Sequence, residues 1–60
     1  MEVMNAHELS DYLKIAYSTI NQQAARGEIP HARIGRKRVF RKSTIDTWLT
    51  EQELHSMEVV

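Results

Sequence analysis

The chain has 60 residues, with eight Lys or Arg, eight Asp or Glu, three His and no Cys, and its formal net charge is zero. A domain this short buries only about 60% of the surface its unfolded chain exposes, which leaves a thin core and little room for an enclosed catalytic pocket. Without cysteine there is no disulfide or thiolate zinc site, and without a long apolar run there is no signal peptide or membrane span, so the expectation is a soluble cytoplasmic protein.

The first helix is predicted to begin near Asn5 or Ala6. Asn5 and Glu8 have the N-x-x-E form of a capping arrangement, and Glu8 suits the positive helix end. Leu9, Tyr12 and Leu13 then recur at i, i+3 and i+4 as one apolar stripe, with Ser10, Asp11 and Lys14 on other faces. Lys14-Ile15-Ala16 reads as a tight connection. A second helix follows from about Tyr17 to Arg26, closed by Gly27 as a left-handed cap and kept from resuming by Pro30. Ile20 and Ala24 can face the first helix, with Ile15 filling the corner. Tyr17, Ser18, Asn21, Gln22 and Ala25 lie on or near the opposite face, which carries amides and hydroxyls. Two short helices joined by so few residues form a helix-turn-helix.

After Pro30 the pattern changes. His31 to Ile34 and Arg38 to Arg41 are β-prone runs separated by Gly35-Arg36-Lys37, which predicts a hairpin with a three-residue loop. Alternation turns Ile34 and Phe40 toward the core and Arg33 and Arg41 outward, with Arg36 and Lys37 at the tip. Arg38 is ambiguous: strict alternation turns it toward the Phe40 side, where it can lie against Trp48 or Tyr12 instead of meeting a polyanion. Ser43 is the expected N-cap of a third helix, with Asp46 in its first turn, Ile45, Trp48, Leu49 and Gln52 on its inner face, and Trp48 at the centre of the core. Periodicity fades from His55. The reading is thus one domain over residues 1–54 and a flexible tail over 55–60. Helix, turn, helix, basic hairpin, helix is the order of a winged helix-turn-helix, an α+β and mostly helical fold.

Charge is segregated along the chain. Arg33, Arg36, Lys37, Arg38, Arg41 and Lys42 fall within ten residues that contain no acid, while the other fifty carry two cations and eight acids. Fields from exposed charges fade over ~8 Å at physiological salt, so a polyanion responds to the patch and not to the sum. Guanidinium groups suit phosphate and also a narrow minor groove. On the second helix, Asn21 and Gln22 can pair with adenine edges, and Ser18 and Thr19 can bond phosphate, although Thr19 can equally point inward and cap. The plain alternative for this helix is an ordinary solvated face. His7, His31 and His55 have no second ligand at i+3 or i+4, which predicts no metal site. Ser10, Asp11 and His7 lack the cleft and oxyanion donors of a hydrolytic site. No catalytic residue and no cofactor are expected. Tyr12, Phe40 and Trp48 read as core, which favours double-stranded over single-stranded DNA.

The stretches Leu13-Lys14-Ile15-Ala16-Tyr17-Ser18-Thr19-Ile20, Arg26-Gly27-Glu28-Ile29-Pro30, Arg33-Ile34-Gly35-Arg36-Lys37 and Phe40-Arg41, with Trp48-Leu49, resemble the excisionase-type DNA-binding domain, a relative of the MerR DNA-binding domain. The likeness runs from about Val3 to Leu54. It implies a recognition helix placing Tyr17, Ser18, Thr19, Asn21 and Gln22 at the major groove. It also implies a wing carrying Arg33, Arg36, Lys37, Arg38 and Arg41, with its tip on the backbone or in the minor groove. Members act as recombination directionality factors that bend DNA and contact an integrase, or as small transcription regulators. The first role is favoured here because no effector or dimerisation segment follows Leu54. The expected partners are double-stranded DNA, an integrase or recombinase, and further copies of the chain on adjacent sites, in a nucleoid-associated cytoplasmic setting. A protein-interaction adaptor that kept the fold is the rival from another class. Three positions depart from the family pattern: Lys14 where glycine or asparagine is common, Ala16 in place of a Ser or Thr cap, and Gln23 where an apolar residue is usual.

Overall fold

The structure, a computed structural model, describes residues 2–58. In chain order these form β1 (Val3–Met4), α1 (Ala6–Leu13), α2 (Tyr17–Ala25), β2 (Ala32–Ile34), β3 (Lys37–Arg41) and α3 (Lys42–Glu58). The fold is a winged helix-turn-helix: three helices around a small antiparallel sheet of order β1-β3-β2.

Local chemistry explains the helix ends. At the start of α1 the Glu8 N–H donates to Asn5 Oδ1 at 2.8 Å, and the Asn5 N–H donates to Glu8 Oε1 at 2.9 Å, completing the expected capping box. The helix ends at Lys14, whose φ of 59° is left-handed, a conformation that costs a non-glycine residue about 1–2 kcal/mol. Ile15 N–H reaches the Ser10 carbonyl at 3.1 Å, and the Ser10 hydroxyl donates to the Ile15 carbonyl, so the turn is pinned from both sides. α2 starts from Ala16 with no side-chain cap, as its methyl group dictates. Its far end is a Schellman motif. Gly27, at φ +75°, donates to Ala24 O at 3.0 Å, and Glu28 donates to Gln23 O at 2.9 Å. That turn sends Ile29 into the core.

The hairpin departs from the sequence reading by one residue. Its loop is Gly35-Arg36, not three residues, and Ile34 pairs with Lys37, Arg33 with Arg38 and Ala32 with Val39. Positive φ at Gly35 alone is the pattern of a II′ turn, whose twist suits adjoining strands. Directly paired residues share a sheet face, so the slip exchanges the two faces of β2. Arg33 joins Arg38 and Phe40 on the helix side. Ile34, predicted to be core, lies on the outer face with Val39 and Arg41 and is 68% exposed. β3 alternates as expected.

β1 was not anticipated. Two residues are too few for a periodic signal, yet Met4 pairs with Phe40 and is buried, and Val3 pairs with Arg41. The pairing continues into α3, where Lys42 N–H donates to Glu2 O at 2.6 Å and Ser43 Oγ donates to the Glu2 carboxylate. Ser43 is therefore not the N-cap: α3 begins at Lys42, directly after β3. It also continues to Glu58, so 55–58 of the predicted tail are helical; Val59 and Val60 lie outside the described residues.

Met4, Leu9, Ile20, Ala24, Ile29, Phe40 and Ile45 form the core, with Ala6, Leu13, Trp48 and Leu49 packed at its margin. Phe40 is the largest side chain fully buried and occupies the place expected of Trp48, which is only half-buried. Ile15 does not fill the corner between α1 and α2 but is exposed. Tyr12 also stays near the surface, where its hydroxyl donates to Asp46 and joins α1 to α3. Lys42 Nζ reaches the same carboxylate at 3.3 Å and sits 5.3 Å from the Tyr12 ring centre.

Candidate nucleic-acid interface

α2 presents its side chains in three lines. Ile20 and Ala24 anchor it to the core. Ser18, Gln22 and Ala25, all exposed, form its outer crest. Tyr17 and half-buried Asn21 lie on the flank that faces the hairpin, and Thr19 is half-buried on the other flank.

Between that hairpin-facing flank and the wing runs a groove of about 470 Å³ lined by α1 and α2 on one side and the hairpin on the other. It brings together Tyr17 and Asn21 of α2 with Arg36, Lys37 and Arg38 of the hairpin, residues far apart in the chain. Arg38 is on the Phe40 side, as alternation predicted, and it lines this groove with Tyr17 and Asn21. The groove also includes Asn5 and His7 at the start of α1, which sequence reasoning missed. His7 stacks on Tyr17 with ring centres 3.9 Å apart and planes 5° apart. Two aromatic rings ten residues apart across a turn give no periodic signal that would have paired them.

Two predicted wing residues stand apart from the groove. Arg41 lies on the outer sheet face with Val3, Ile34 and Val39. Arg33 is exposed on the inner face directly opposite Arg38. Like charges directly opposite in a ladder repel.

Electrostatically the wing differs from the other cations. Arg26 pairs with Glu28 at 3.9 Å and Lys42 with Asp46 at 3.3 Å. Among the described residues, Arg33, Arg36, Lys37, Arg38 and Arg41 make no ion pair. The Tyr12 hydroxyl and then the Lys42 ammonium hold the Asp46 carboxyl below its ordinary range, against the opposing effect of desolvation. Asp46, with the Tyr12 hydroxyl, raises Lys42 in turn. Lys42, counted in the basic run, is thus committed to an internal carboxylate. Among the described residues no group of three His, Cys, Asp or Glu is placed to hold a metal ion, and no helix is long and apolar enough to cross a membrane.

A two-helix reader beside a basic hairpin defines the class: a winged helix-turn-helix DNA-binding domain. Comparison with protein families agrees, for the model of a helix-turn-helix domain matches residues 3–53. The chain belongs to that family. No curated protein and no solved structure matches it.

Proposed function

We propose that this domain binds double-stranded DNA with sequence selectivity. On this reading the α2 crest enters the major groove, with Tyr17, Ser18, Thr19, Asn21 and Gln22 at or near base edges and phosphates, and the wing clamps the adjoining backbone or minor groove through Arg33, Arg36, Lys37, Arg38 and Arg41. One observation carries it. Among the described residues, five wing cations make no ion pair, and three of them share with α2 a groove that no carboxylate lines. An Arg33–Arg38 pair held face to face costs stability in isolation, and a polyanion offsets that cost.

The finer role we infer is a recombination directionality factor of excisionase type, in a nucleoid-associated cytoplasmic setting. Its support is the motif resemblance and the small footprint. A module of this kind buries about 600–1,000 Å² of its surface on DNA, which favours help from neighbouring copies or from an integrase or recombinase. A small transcription regulator uses the same contacts, and footprinting beside a recombination site as against a promoter separates the two roles.

The test is a duplex titration of the wild type and an Arg36→Ala, Lys37→Ala variant at several salt concentrations. Five phosphate contacts give a log–log slope of about −4 to −5, and the variant is expected to be shallower by about two units. If the folded wild type shows no salt-sensitive duplex binding, the DNA reading loses its basis and the adaptor alternative takes its place.

A further inference from the structure

The groove between α1, α2 and the wing holds one titratable ring that the contacts named above do not use. We propose that His7 is an additional phosphodiester contact, positioned by Tyr17, and that it carries a proton in the bound state, so that duplex affinity falls as pH rises. This rests on the duplex-binding reading and adds a third element, the start of α1, to the contact surface.

The geometry supports it in three ways. The parallel stack on Tyr17, at 3.9 Å and 5°, restrains the plane of an exposed ring, so less side-chain freedom remains to be lost on binding. The ring shares its groove with Asn5 of its own approach to α1, Asn21 of α2, and Arg36, Lys37 and Arg38 of the hairpin. Those are hydrogen-bond donors converging on one channel. Among the described residues, no carboxylate lines that channel. Nearby acids are on α1 itself: Glu8, whose Oε1 is engaged by the Asn5 N–H, and Asp11, one turn further along the exposed helix. Facing His7 from α2 is the Tyr17 phenol, and from the wing the three cations.

Histidine is the side chain whose charge changes between about pH 5 and 8. A phosphate beside the ring favours the charged form, and an imidazolium N–H to a phosphate oxygen is a charge-assisted bond. The other histidines are placed differently. His31 Nδ1 lies 2.9 Å from the Ile29 carbonyl oxygen, and its ring borders the outer sheet face. His55 lies towards the C-terminal end of α3.

The experiment is duplex titration at about pH 6 and pH 8 at fixed ionic strength, with melting temperatures as the control for folding. Wild type is expected to bind about threefold to tenfold more tightly at the lower pH, within the ceiling of about a hundredfold that uptake of one proton sets over two pH units. His7→Phe keeps a flat ring on Tyr17 but no nitrogen, and should lose both the extra affinity and the pH response. His7→Lys should bind independently of pH and exceed wild type at pH 8. A His31→Gln, His55→Gln variant should retain the response. If His7→Phe melts early, His7→Gln provides the same readout. Wild-type affinity and pH response in the His7 variants overturn the inference while leaving duplex binding intact, whereas failure of wild type to bind the duplex removes the reading on which it rests.

Discussion

Replacing Arg33 by Glu should make the domain more stable and a poorer DNA binder at once. Arg33 sits directly opposite Arg38 in the β2–β3 ladder, on the same sheet face, and neither has an acidic partner among the described residues. Cross-strand charge pairs contribute roughly 0.2–1 kcal/mol, and like charges oppose by similar amounts. Exchanging repulsion for attraction therefore shifts stability by on the order of 1 kcal/mol. For a domain of this size that corresponds to a rise in melting temperature of about 4–8 °C. Because Arg33 is exposed, the gain should shrink as salt screens the pair. On the DNA side, one cation is lost and one acid is added, so affinity should fall and the salt slope become shallower by about one unit. Thermal melts at low and high salt, paired with duplex titrations, read both effects, and Arg33→Gln should show an intermediate response in each. A variant that melts at or below the wild-type temperature in low salt would falsify the repulsive register. Undiminished duplex affinity would remove Arg33 from the contact surface.

Other expectations concern the scaffold. Phe40→Ala should cost about 3–5 kcal/mol, comparable to the whole stability of a 60-residue domain, and circular dichroism should show it largely unfolded; Trp48→Ala, removing a half-buried ring, should leave a folded domain with a lower melting temperature. Lys14→Gly relieves the left-handed strain and should raise the urea midpoint by the equivalent of about 1 kcal/mol, with an unchanged m-value. The Tyr12–Asp46–Lys42 contact predicts a further acid sensitivity. Because Asp46 is lowered from 3.8, its contribution is present above that pH and lost as pH falls through the folded value, so wild type should lose stability below about pH 4 and Tyr12→Phe should lose less. The Lys42 contribution, raised from 10.5, should persist below that pH and disappear as pH rises above it.

Much of the helix-turn-helix was legible because its signals are local. Asn5 and Glu8 announce their own capping box, Gly27 and Pro30 close α2, and Ile20 and Ala24 mark its inner side. What escaped depended on long-range pairing. The choice between a two- and a three-residue loop around Gly35 is one position in sequence, but it decides whether Ile34 is core or surface. β1 forms because residues 3 and 4 find β3 nearly forty positions away. Phe40 displaces Trp48 from the core centre because the sheet holds it between the helices, whereas the larger ring has one edge at the surface. Tyr12's place in the apolar stripe predicts a core residue, yet its hydroxyl finds Asp46 at the surface. The candidate site was readable as a list, α2 and wing, but not as a surface. Arg41 lies on the outer sheet face, apart from the groove, while His7, beyond both motifs, lines it.

The zero net charge is best understood through where the two signs lie. Outside the basic run, eight acids and two cations leave −6, which cancels the run's +6 in the sum, so at distances beyond a Debye length DNA meets little net attraction. At contact the balance changes, since among the described residues the wing cations make no ion pair and no acid lines the groove that three of them share. Affinity on this reading is a contact-range property, gained only when the wing faces the backbone. A module docked with the Glu51–Glu53 surface of α3 against phosphate meets repulsion. The acids thereby act against wrong orientations and weaken indiscriminate binding, at some cost in encounter rate. The α2 crest contributes no charge of its own through Ser18, Gln22 and Ala25, so it adds little to attraction for DNA in general. Its amides and hydroxyls gain free energy only against matching base edges. On the proposed reading, attraction from the wing and discrimination from α2 are carried by different residues, so substitutions in the wing should change affinity across sequences while Asn21 or Gln22 substitutions change which sequence is preferred.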